Sequence, residues 1–196
     1  MQIIFVRHGE PGTSPDAPKD PPLSELGRAQ AASAADRLRH EAITAVYSSP
    51  SRRTLETADP LARMLEIAPI VVKGLAEFVH AHEYRRVEDL RRRGDPLWAK
   101  MATGDLSPFG TDAPTFRSTV FDAVETIAAT HPGENVAVFS HAGTINAYLG
   151  EMLDIERLLW AELAYCSVTR VAISRNGVRS VLAVNEQVHA RGSHPG

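Results

Sequence analysis

The chain has 196 residues, a formal net charge of −3 and 43% hydrophobic residues, enough for one domain with a sizeable core. Its sequence pI near 6.2 gives no basic footprint for nucleic acid, and no apolar stretch approaches the length that spans a bilayer. The single cysteine, Cys166, excludes an intrachain disulfide framework and fits a reducing compartment.

Met1 leads directly into the apolar run Ile3-Ile4-Phe5-Val6, with no basic region or apolar signal core ahead of it, so a cytoplasmic location is expected. Residues 11–22, rich in Pro, Asp and small side chains, read as a loop long enough to border a site. Ser24 is a fitting N-cap for a helix running to about His40, in which Gly27 is a local weakness. The run Ala45-Val46-Tyr47 is a strand, and a second helix begins near Ser51, with Pro60 expected to kink or interrupt it. Ile70-Val71-Val72 is a third strand.

Residues 80–116 then break the alternation with two polar helical stretches, 84–93 and 96–101, and a Gly/Pro-punctuated segment over 103–114. They read as an insertion over the strand ends within one domain of residues 1–189. A helix over 115–130 stops at Pro132-Gly133 and is followed by the strand Val136-Ala137-Val138-Phe139. Residues 143–152 are expected to be helical, with a shorter helix over 155–163. Two β-rich runs, 167–173 and 178–184, flank Asn176-Gly177, a strong hairpin signal. Cys166 lies in a run that reads as a strand and is expected to be a small buried hydrophobe. Residues 190–196 read as a frayed tail.

Alternating strands and helices specify an α/β domain, and in open α/β sheets ligands bind beyond the carboxyl ends of the strands. Arg7-His8, Arg53, Glu77 and His141 each lie just past one of the apolar runs, so these residues, all suited to phosphate chemistry, point to a single site.

Arg7-His8-Gly9-Glu10 resembles the arginine-histidine-glycine signature of the histidine phosphatase superfamily, which includes the cofactor-dependent phosphoglycerate mutases. Ser48 through Ala58 is similar to the family's serine-proline, arginine, threonine-alanine stretch, with Arg53 at the arginine position. Leu75-Ala76-Glu77-Phe78 resembles the segment that carries its acid, Ser140-His141-Ala142-Gly143 its second histidine segment, and Asn185 through His189 a C-terminal asparagine-to-histidine stretch. The resemblance implies a phosphoglycerate mutase-like fold: an open three-layer sheet, mostly parallel with an antiparallel edge and helices on both faces. The chain departs from the pattern in carrying Pro11 and Ser14 where the family often has threonine and asparagine. Ser14 nonetheless keeps one hydroxyl to offer phosphate. It also reads Phe78-Val79-His80-Ala81-His82 where mutases and related phosphatases carry glycine-tryptophan-glutamate-glycine.

Phosphoryl transfer needs an in-line nucleophile, fixed cations around the equatorial oxygens and an acid for the departing alkoxide. His8 is the expected nucleophile through Nε2, with Nδ1–H held by a backbone carbonyl. Arg7 and Arg53 offer paired donors to phosphate, His141 donates from the opposite side, preferably as imidazolium, and Glu77 is the acid and then the base. No metal or cofactor enters this scheme.

Competing assignments are Arg52 for Arg53, and Glu10 or Glu83 for Glu77. His80-x-His82 with Glu83 lacks the further ligands of a closed metal site, and Arg91-Arg92-Arg93 is either an exposed helix face or a rim for acidic substrates. Three functions compete: a metal-independent phosphomonoesterase, a mutase, and a catalytically silent phosphate-ligand or partner-binding module. A nucleophile together with an acid favours catalysis, and the missing glycine-tryptophan stretch favours the phosphatase. The expected partner is a phosphorylated small molecule, with a phosphoprotein as the alternative, and the expected state is a monomer or homodimer without nucleic acid or membrane.

Overall fold

Ile3, Ile4, Phe5 and Val6 are all fully buried, as an unbroken apolar run requires when a strand is covered on both faces. They form β1 (Gln2–Arg7) in a computed structural model that describes residues 1–12, 19–79 and 84–187. The elements that follow are α1 (Glu25–Leu38), β2 (Ile43–Ser48), α2 (Arg52–Leu65), β3 (Ile70–Val71), α3 (Val87–Arg92), α4 (Pro96–Thr103), α5 (Ala113–Thr130), β4 (Asn135–Ser140), α6 (Ala142–Leu153), β5 (Val168–Ile173) and β6 (Arg179–Glu186).

The sheet order is β3-β2-β4-β1-β5-β6. The first four strands are mutually parallel, β5 runs antiparallel to β1, and β6 antiparallel to β5. The chain leaves β1 toward β2 on one side and leaves β4 toward β5 on the other, so the topological switch lies between β1 and β4. Side chains alternate along the strands and build two cores. Ile3, Phe5, Val136 and Val138 pack with α5 and α6 through Val120, Val124, Ile145 and Tyr148. Ile4, Val6, Ala137 and Phe139 pack with α1 and α2 through Ala35, Leu38, Ala58 and Leu61. Leu90, Met101 and Leu106 of the 84–112 region belong to the first core. No helix among the described residues is long and apolar enough to cross a membrane.

Four expectations change. Helix α2 continues through Pro60; a proline removes one N–H, and the buried face of Thr57, Ala58, Leu61 and Ala62 holds the helix across that gap. The expected helix over 155–163 is absent. Helix α6 ends at the left-handed Asp154, φ 55°, and beyond it side chains take the backbone's hydrogen bonds. The amide of Asn146 accepts from Ala161 N (2.8 Å) and donates to Ala161 O (2.9 Å), and Asn185 accepts from Ala164 N (2.7 Å). Gly27, expected to be a weak point, is required: a Cβ there would stand 2.1 Å from the carbonyl oxygen of Glu10, so glycine lets α1 pack against the turn that follows the first strand. Cys166 lies just before β5 rather than within it, buried with φ 53°.

The hairpin closes as expected. Ser174 N donates to Val178 O (2.9 Å) and Gly177, at φ 82°, supplies the left-handed residue. Elsewhere element ends move by a residue or two, as helix α5 starting at Ala113 behind the N-cap Asp112 illustrates.

Candidate active site

Strand register assembles the centre. Arg7 pairs with Ser140 across β1 and β4, and His8 N donates to Ser140 O (2.9 Å), so the residues following the two strands, His8 and His141, emerge side by side. Their ring centroids are 5.2 Å apart. The carbonyl of Gly9 lies 2.8 Å from Nδ1 of His8; a carbonyl only accepts, so Nδ1 carries the proton and Nε2 keeps its lone pair. Gly9 N donates to Thr57 Oγ1 (3.0 Å), anchoring this turn to α2. Burial first, then the charges of Arg53 and Arg7, press the His8 pKa well below 6.5, against the Gly9 bond that raises it. The imidazole is therefore neutral at physiological pH.

Arg53 sits at the start of α2 and is only 2% exposed. Its guanidinium lies 3.2 Å from His141 Nδ1, 3.4 Å from Asp20 and 4.7 Å from the ring centre of Tyr84. Nε2 of the same His141 ring lies 2.8 Å from Ser49 Oγ. Arg52, the competitor, is exposed and pairs with Glu56 at 2.6 Å.

Arg7, from the end of β1, donates to Leu163 O and to Glu88 Oε1, the latter at 2.7 Å, and lies 4.0 Å over the Tyr165 ring. Burial opposes its charge, but Glu88 and the neighbouring tyrosines outweigh that and raise its pKa. The Nε atoms of both Arg7 and Arg53 are buried without a hydrogen-bond partner among the described residues. Two orphaned cationic donors beside a neutral imidazole are what an incoming anion would satisfy.

Glu77 follows the 3-10 turn Lys73–Leu75 and is buried. Its carboxylate accepts from Gly143 N (2.9 Å), at the start of α6, and from Phe78 N (3.1 Å). A Cβ at Gly143 would lie 2.3 Å from Glu77 Oε1, so this approach needs glycine. Burial raises the Glu77 pKa above 4.5 while those two N–H groups, Arg53 and Arg7 pull against it. Of the competing acids, Glu10 is engaged by the Ser24 hydroxyl (3.2 Å) and Arg86 (3.6 Å) at the start of α1. Glu83 lies outside the described residues, as do Ser14, His80, His82 and His189.

Residues 3–186 match the histidine phosphatase superfamily (branch 1). The chain belongs to this superfamily. It is 27% identical over 183 residues to a probable phosphoglycerate mutase, GpmB, of Photorhabdus laumondii subsp. laumondii, covering 87% of this chain and 84% of that one. Its fold is similar to that of a phosphoserine phosphatase of Entamoeba histolytica solved with phosphoserine, with TM-score 0.77, 19% identity and coverage of 95% and 97%. It is also similar to a mycobacterial glucosyl-3-phosphoglycerate phosphatase, with TM-score 0.76, 20% identity and coverage of 94% and 99%. Membership of this superfamily supports an enzyme acting on phosphate esters.

The structure brings Arg7, His8, Arg53, Glu77 and His141 to one end of the sheet. Asp20, Ser49, Thr57, Tyr84, Glu88 and Tyr165 join them and were not singled out from sequence. Ser49 and Thr57 lie inside the stretch 48–58 that carried the resemblance, which was the one available signal; the others arrive from distant segments. Arg91 and Arg92 pair with Glu162 (2.6 Å) and Asp89 (2.8 Å) in exposed ion pairs.

Proposed function

We propose that the protein hydrolyses phosphate monoesters through a phosphohistidine on His8. The observation that carries this reading is the buried neutral imidazole, its Nδ1 proton held by Gly9 O at 2.8 Å, beside Arg7 and Arg53. His8 Nε2 attacks phosphorus as the ester P–O bond breaks, and Glu77 gives its proton to the departing oxygen. The Glu77 carboxylate then takes a proton from water as the new O–P bond forms and the N–P bond breaks, releasing inorganic phosphate. Arg7, Arg53 and His141 hold the equatorial oxygens in both steps, with Ser14 offering a further hydroxyl.

Hydrolysis is favoured over mutase chemistry by charge. Arg7 and Arg53 each have a carboxylate partner, Glu88 and Asp20, and Arg91 and Arg92 are spent on exposed pairs. A retained bisphosphorylated intermediate calls for a closed pocket with more uncompensated cations. The substrate in this reading is a phosphorylated small molecule.

The test is phosphate release from sugar phosphates, phosphoglycerates, nucleotides and phosphopeptides with chelator present, alongside radiolabel trapping. Wild type should release phosphate and trap an acid-labile, base-stable label; His8→Ala should do neither. Label trapped by His8→Ala places the nucleophile elsewhere. Rapid conversion of 3-phosphoglycerate to 2-phosphoglycerate that depends on 2,3-bisphosphoglycerate and outpaces phosphate release makes the protein a mutase.

A further inference from the structure

Resting on the reading of Arg7 as a phosphate ligand, we propose that Glu88, braced by Tyr165, is the positioning residue of Arg7, so that phosphate binding depends on helix α3 being seated over the site. Glu88 uses both carboxylate oxygens. Oε1 accepts from Arg7 Nη2 at 2.7 Å and Oε2 accepts from the Tyr165 hydroxyl at 3.1 Å. The same tyrosine places its ring 4.0 Å beneath the Arg7 guanidinium and its centroid 5.7 Å from that of His8. Leu163 O takes Nη1. Arg7 is thereby fixed at both terminal nitrogens and on one face, while Nε remains buried and unpartnered among the described residues.

A guanidinium reads phosphate through a planar fork, and holding that plane beforehand removes part of the rotamer entropy otherwise lost on binding. A carboxylate beside a phosphate site also repels the dianion, so Glu88 contributes through geometry and not through charge. Helix α3 spans only Val87–Arg92 and is pinned by Leu90, which is buried in the first core. Arg86, just before it, reaches Pro11 O and lies 3.6 Å from Glu10. The helix that carries Glu88 therefore also touches the loop after His8, and its seating sets Arg7 in place.

The test compares wild type, Glu88→Ala, Glu88→Gln and Tyr165→Phe for inhibition by inorganic phosphate and orthovanadate, for KM and kcat on p-nitrophenyl phosphate, and for melting temperature. Glu88→Ala should weaken phosphate binding and raise KM about tenfold or more, the scale of one charge-assisted hydrogen bond. Glu88→Gln keeps an acceptor for Nη2 and sheds the repelling charge, so it should bind phosphate at least as well as wild type. Tyr165→Phe should fall between them. Were Glu88→Ala to share a lowered melting temperature, the Arg7→Ala/Glu88→Ala double-mutant cycle should still show coupling in phosphate affinity. Additive effects there, unchanged or tighter phosphate binding by Glu88→Ala, or Glu88→Gln as impaired as Glu88→Ala would each overturn the proposal. A wild type that binds no phosphate, or an Arg7→Ala protein that binds it normally, overturns the reading of the site itself and this inference with it.

Discussion

At Glu77 burial and hydrogen bonding oppose each other. Water exclusion raises the carboxyl's pKa above 4.5, and two backbone N–H groups with two arginines restrain the rise. A general acid works protonated, so kcat/KM for an alkyl phosphate should fall as pH climbs through that raised value. His8 must be neutral to attack, and burial with Arg53 and Arg7 keeps its protonation to pH values below 6.5, so its acid limb lies low. Glu77→Gln should cost about 10²–10⁴-fold on alkyl phosphates and far less on p-nitrophenyl phosphate, whose phenolate leaves with little protonation. It should also abolish the basic limb. Equal losses on both substrates, or a basic limb that persists in the Gln variant, would remove Glu77 from the acid's role and leave Glu83 to be tried.

Among the elements, the irregular segment between α6 and β5 delivers Leu163 O and Tyr165 to Arg7, and Asn146 holds it in place. Asn146→Ala would leave the N–H and carbonyl of Ala161 unpaired, a cost of about 1–3 kcal/mol for the groups that remain buried. The expected result is a lower urea midpoint together with a higher KM; an unchanged midpoint would show that water replaces the amide without cost. This segment also marks where sequence stops speaking. The strands β1, β2 and β4 were legible because buried strands are apolar over consecutive positions, and the edge hairpin of β5 and β6 because Asn176-Gly177 named its own turn. Arg7, His8, Arg53, Glu77 and His141 were legible because each follows a strand or opens the helix after one. Glu88, Tyr165 and Asp20 were not, since each meets its arginine only through tertiary packing: Glu88 is 81 residues from Arg7, and nothing local distinguishes it from a solvated glutamate. The helix expected over 155–163 failed for a related reason, because within it Asn146 takes both the N–H and the carbonyl of Ala161, a contribution from outside the segment.

For the molecule as a whole, the switch between β1 and β4 that makes a site also makes a weak point. Two histidine rings and a guanidinium are packed against one another at the end of a sheet whose strand interiors are apolar. His8 has a folded-state pKa depressed by burial and by Arg53 and Arg7. Below pH 6.5 the unfolded chain therefore takes up a proton that the folded one refuses, and because the unfolded state binds more protons, stability rises with pH across that window and is lost on acidification. One pH unit below the unfolded value the loss from this single group is at most about 1.4 kcal/mol. Urea unfolding of wild type should thus show a lower midpoint at pH 5.5 than at pH 7.5, and His8→Asn, which cannot titrate, should show a smaller drop between the same two pH values. The comparison uses the difference between pH values, so any constant cost of the substitution cancels. An identical drop in both proteins would mean that His8 is protonated as readily in the fold as in the open chain, and would withdraw the neutral, poised imidazole on which the proposed chemistry depends.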